Sequence, residues 1–244
     1  MNPSTRATAT FAAATVVAVA GFYGTRFLAL GVSALIAVAA FGWPRLLRVY
    51  RRKVGSVIIA ASGAISVVAV GLGRGEPYLR YAVAAAGAAV LLSLAAEVFF
   101  PSPPGRAVTS VTGMMSGAFV AVSAGAWVAA NRTPGAADLV VAGAAAIAVA
   151  GLAAVTTKRP TVNSIIALIF GTATGGVLGY VFDSISWAGG SLVGVVGAAS
   201  VVTVTELATR EPAPRHVLAA IASGITPVLS SGVLVYLSGR LLVG

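Results

Sequence analysis

Nine apolar runs of about 17–23 residues, separated by short links that hold most of the charges, limit this chain to one kind of fold. A helix of that length crosses the ~30 Å hydrocarbon core of a bilayer. The runs lie at 7–23, 27–43, 54–72, 81–100, 108–130, 139–155, 164–182, 191–207 and 217–239. None shows the period-two alternation of barrel strands, and a backbone in lipid must satisfy its own hydrogen bonds, so each run reads as a helix. The expected fold is all-α: a polytopic integral membrane protein with about nine transmembrane helices. Only 9% of residues are charged, against roughly a quarter in soluble domains, and 58% are hydrophobic.

The net charge of +10 raises the question of nucleic acid, but the cations sit in links rather than along one helix face or patch, so nucleic acid is excluded as a partner. Their placement follows the positive-inside rule instead. The densest cluster is Arg45, Arg48, Arg51, Arg52 and Lys53. With the amino terminus inside, eleven of the 16 Lys and Arg residues fall on the cytoplasmic side. Arg26, Arg74, Arg80, Arg132 and Arg240 fall outside. The expected placement is therefore the plasma membrane, with the carboxyl terminus outside and anionic phospholipids meeting the 45–53 link. Residues 1–26 form a leading helix. Arg6, the apolar stretch and Ala18-Val19-Ala20 imitate a cleavable secretory signal, whereas the weak basic start and the span that follows favour an uncleaved anchor.

The remaining eight runs read as a worn duplication, 27–136 and 137–244. Glu97, Pro103, Arg106 and Val108 recur 109 positions later as Glu206, Pro212, Arg215 and Val217. Val54, Ser56, Ile58, Gly63 and Gly71 recur 108 positions later. Four spans per repeat make both copies enter from one side, related by a pseudo-two-fold axis along the membrane normal.

Gly171, Gly175 and Gly179 form a doubled GxxxG, read as a close helix contact, and Gly113 and Gly117 are read likewise. Pro227 stands in the middle of the last run. It removes an amide donor and frees a carbonyl four residues back, so a kink or break is expected there.

Signatures of chemistry are mostly missing. Cysteine is absent, and there is one histidine, His216, in a link. No nucleotide-binding loop, nucleophile elbow or metal-ligand spacing appears, so the expectation is a non-enzyme without cofactors. Two carboxylates remain. Glu97 and Glu206 each sit near a helix C-terminus, and Arg106 and Arg215 near the next helix start, all disfavoured by the helix dipole. Each pair reads as a hairpin ion pair at the headgroup level, or as a proton or cation site.

Gly42-Trp43-Pro44-Arg45-Leu46-Leu47 and the ending from Pro227 to Gly244 resemble Ala/Val-rich multi-span membrane proteins of actinobacteria, loosely labelled permeases. The resemblance implies a bacterial membrane protein and carries no activity with it. Two functional readings follow. One is a small permease whose candidate residues are Glu97, Arg106, Glu206, Arg215 and Pro227. The other is a non-catalytic membrane subunit that scaffolds an envelope or lipid-handling complex through a membrane-protein partner.

Overall fold

A computed structural model describes residues 3–73, 75, 77–133, 137–210, 214 and 216–243. Among these the chain is all-helical. The helices are α1 (Pro3–Tyr23), α2 (Thr25–Leu46), α3 (Arg52–Leu72), α4 (Ala82–Phe99), α5 (Ala107–Arg132), α6 (Ala137–Ala153), α7 (Pro160–Val181), α8 (Trp187–Arg210), α9 (Val217–Ser230) and α10 (Gly232–Val243). A 3-10 turn, Tyr78–Tyr81, leads directly into α4. Counting α9 and α10 as one span, eight helices are long and apolar enough to cross a membrane, as in a multi-pass membrane protein.

The ninth expected span, α6, has 17 residues and falls at the short end of that range. It is also the centre of the bundle, packed by α1, α5, α7 and α8. Leu139, Val140, Ala144, Ile147 and Ala150 are fully buried, and a helix surrounded on all sides has no use for a polar face. By contrast, α4 and α7 sit at the periphery and turn Val83, Leu91, Val98, Ile169, Phe170 and Tyr180 outward. These are the side chains that lipid would cover.

The two sets of four helices do not share one pattern of neighbours. In the first, α3 packs most closely on α5; in the second, α7 packs most closely on α8. Glycines explain the second contact. A Cβ on Gly175 would lie 2.8 Å from the Cα of Gly194, and one on Gly179 would lie 3.0 Å from the Cα of Gly190. The glycine row of α7 therefore meets a second row on α8, and the two backbones touch. Gly113 and Gly117 bring α5 against the end of α2: Gly113 leaves room for Val49, and Gly117 seats the Trp43 indole. A Cβ on Gly117 would overlap that ring, and Nε1 of Trp43 donates to the Gly113 carbonyl at 3.0 Å.

The link carrying the basic cluster lines one space with Arg6, Arg106 and His216, and this end of the bundle is the basic end. At the opposite end, polar side chains clamp helix termini. Arg132 donates to carbonyls at the end of α3, those of Val70 and Gly71 (3.0 Å), and to that of the following Gly73 (2.9 Å), and lies over the Tyr78 ring. A cation at a helix C-terminus meets both the free carbonyls and the dipole there. Asn131 donates to the Gly21 carbonyl at 3.1 Å and accepts from Thr25 at 2.8 Å, tying α5 to the α1–α2 corner.

The last span is interrupted at one residue, Ser231, four beyond Pro227, while its backbone stays right-handed: the Ser231 amide donates to the Pro227 carbonyl at 3.2 Å and its carbonyl accepts from the Val235 amide at 2.9 Å. Helix α9 ends at Ser230 and α10 starts at Gly232. Two carbonyls beside Ser231 find partners on α5. Trp127 Nε1 donates to the Val228 carbonyl at 2.7 Å, and the Ser123 hydroxyl donates to that of Ser230 at 2.8 Å. Irregular backbone at this depth is tolerated because neighbouring side chains satisfy it.

Candidate functional site, an arginine-lined cavity at the basic end

The α2–α3 link shapes the site. Helix α2 ends when the Val49 amide donates to the Pro44 carbonyl at 2.9 Å, which is a Schellman closure. That geometry requires a left-handed residue between helix and turn, normally glycine. Here the residue is Arg48, at φ 54°, the one non-glycine residue with positive φ among the described residues. A left-handed L-residue costs about 1–2 kcal/mol. The turn carries an arginine where the backbone favours no side chain at all.

Beneath this turn lies a cavity of about 790 Å³ between α1, α2, α8 and α9. Five arginines line it, Arg6, Arg45, Arg48, Arg52 and Arg106, together with His216. No acidic residue does, among the described residues. Deeper in, the wall turns apolar with Trp43, Leu46 and Leu207, then meets Ser223 and Thr226 of α9. Arg45 directs one guanidinium nitrogen to the Phe41 carbonyl. The side chains of Arg48, Arg52 and Arg106 make no hydrogen bond or ion pair among the described residues.

A second cavity, about 400 Å³, lies behind it. The two share Arg6, Val204 and Ser223 in their walls. The smaller one adds Thr10, Asn163, Ser164, Glu206 and Pro227. Thr10 donates to the Gly224 carbonyl at 2.7 Å and so holds α1 against α9. Asn163 fixes the α6–α7 link at its rim: it accepts from the Thr157 amide at 2.8 Å and returns a bond to the Thr157 carbonyl at 2.9 Å.

Arg6 is the residue common to both spaces, and its position is unusual. It sits half-buried at the start of α1 with Nη1 shielded from solvent and without a hydrogen-bond partner. A buried donor left unsatisfied costs about 1–3 kcal/mol, and more when charged. Glu206, in the same cavity, does not supply the acceptor. One of its carboxylate oxygens takes a 2.8 Å bond from the Ser164 hydroxyl of α7.

The five candidate residues thus separate. Glu206 and Pro227 line the smaller cavity, and Arg106 lines the larger. Glu97 lies apart: its carboxylate accepts from the Ser102 amide at 2.7 Å and the Ser102 hydroxyl at 3.0 Å, which fastens the end of α4 to its own link. Arg106 is exposed and forms no ion pair with Glu97. Arg215 lies outside the described residues, as does Pro212.

Sequence reasoning missed Arg6, Ser223 and Thr10. For Arg6 a signal was present, since a cation at a helix start opposes the dipole in the same way as Arg106. Ser223 carries none, because a serine in an apolar run normally bonds its own backbone. No three His, Cys, Asp or Glu side chains come together among the described residues. Compared with protein-family models, curated proteins and solved structures, the chain matches none.

Proposed function

We propose that the protein is a permease-like carrier in the plasma membrane, with the basic end in the cytoplasm and the arginine-lined cavity as its entrance. One observation carries this reading: the cavities reach from the basic end down to Thr226 and Pro227. From Val217 to Pro227 is ten residues of helix, or ~15 Å at about 1.5 Å per residue, half of the hydrocarbon thickness. A route that stops halfway, at the proline of the last span, is what a carrier open to one side would present. Glu206 stands along this route as the acid for a coupled proton or cation. Orientation rests on the basic cluster, which would also meet anionic phospholipid.

The test needs no knowledge of the substrate. The chain has no cysteine, so a Thr226→Cys variant reports one position only. It is labelled in right-side-out and inside-out vesicles with a membrane-impermeant thiol reagent. A carrier that alternates exposes Thr226 to both sides in turn, and labelling from both is expected. Labelling from the basic end alone favours the other reading, a non-transporting subunit with a membrane-protein partner. One feature points that way: Trp127 and Ser123 occupy the carbonyls of Val228 and Ser230, which a cation would otherwise use. A stoichiometric partner recovered from mild detergent would then identify the complex.

A further inference from the structure

We propose that the larger cavity binds a phosphate group, gripped by Arg6 from below and by Arg48, Arg52 and Arg106 from above. The inference rests on the reading of this cavity as the functional site, and it names the chemistry of what enters.

Three independent observations converge on it. The first is charge without countercharge: five guanidinium groups face one space, and no carboxylate lines it among the described residues. Like charges around one space repel, screened by water at exposed Arg48, Arg52 and Arg106 and less so at half-buried Arg6 and Arg45, and an anion of more than one charge among them relieves that repulsion. A phosphate dianion does so, and its oxygens can take paired N–H donors from several arginines at once. The second is the choice of cation. Every permanent cation on the wall is arginine, although Lys53 belongs to the same link and does not line the space. The planar fork of arginine fits phosphate in a way that a lysine point charge does not.

The third observation is strain and burial at two of the ligands. Arg48 holds a left-handed backbone conformation, and Arg6 buries a guanidinium nitrogen with no partner. Backbone strain and unsatisfied buried donors concentrate where a ligand completes the structure. Neither feature follows from membrane topology, which would be served equally by arginines spread over the headgroup surface. A monovalent halide would leave most of the donors unused. A carboxylate would satisfy one arginine fork and leave the others facing each other.

Phosphate can come from two sources, a free anion or the headgroup of a lipid whose chains run along Trp43, Leu46 and Leu207. The experiment separates them. Purified protein in phosphatidylcholine nanodiscs is titrated at constant ionic strength with inorganic phosphate, and separately with dioctanoyl phosphatidic acid, by calorimetry. Saturable binding of either probe is expected, weakened at least tenfold by Arg6→Gln and by Arg106→Gln. Arg106 is exposed in a link, so its variant keeps the fold even where Arg6→Gln does not. Binding of inorganic phosphate identifies a free anion as the source. Binding of phosphatidic acid alone identifies a lipid headgroup. Absence of saturable binding for both probes, or wild-type affinity in folded Arg106→Gln, overturns the proposal. Phosphate binding together with Thr226→Cys labelling from one side only would leave this inference standing and remove the carrier reading.

Discussion

Arg48 sets stability against binding at a single position. Its φ of 54° comes at a cost in backbone strain, and glycine would adopt the same turn freely. Arg48→Gly should therefore raise the stability of the detergent-solubilised protein by about 1 kcal/mol, read as a higher Tm. The same variant should bind phosphate several-fold more weakly. A lower Tm would show instead that the side chain itself supports the turn. Arg51, its neighbour, shows the contrast. Its guanidinium lies 5.8 Å from the centre of the Tyr50 ring and 5.9 Å from that of Phe100, so this member of the cluster packs the link. The five cations of one link thus have different roles, which their shared charge conceals.

At the level of helices, the contact between α7 and α8 depends on small residues on both sides. Gly175→Ala would push a methyl group into the backbone of Gly194 and should cost about 1–3 kcal/mol by overpacking. Gly87→Ala in α4, where nothing lies within 4 Å of the new methyl, should leave stability unchanged or slightly raised. Equal effects in thermal unfolding would contradict the interlocked-glycine account. This pair also shows how far the sequence could be read. The GxxxG spacing on α7 announced a close contact, but not its partner, because glycine and alanine on α8 look the same toward lipid or protein. Span boundaries were legible because water and hydrocarbon sort residues sharply at each link. Neighbours were not, since an Ala/Val surface carries no polarity to say which way it faces. For the same reason the central position of α6 left no mark, and the cavity, assembled from the two ends of the chain, left only the charges of its rim.

For the whole molecule, orientation should depend on the 45–53 link. Neutralising Arg45, Arg48, Arg51, Arg52 and Lys53 together should yield mixed or inverted insertion, because these five supply most of the difference between the two ends. A cysteine at Ser102 should be labelled from the cytoplasmic face in the otherwise unchanged protein; labelling from outside alone would reverse the proposed orientation. The packing order of the bundle has a further consequence, for its synthesis. Helix α1 is made before α2 to α10, yet its main neighbours are α6 and α9, and Thr10 finds the Gly224 carbonyl 214 residues along the chain. At about 5–20 residues per second, α1 waits roughly 10–40 s for its last neighbour. During that interval its hydroxyl is not stranded in lipid, because Thr10 can also donate to the Arg6 carbonyl one turn back, at 3.0 Å. Helix α1 thus carries its own provisional partner, and α9, when it arrives, closes the ring around the arginines.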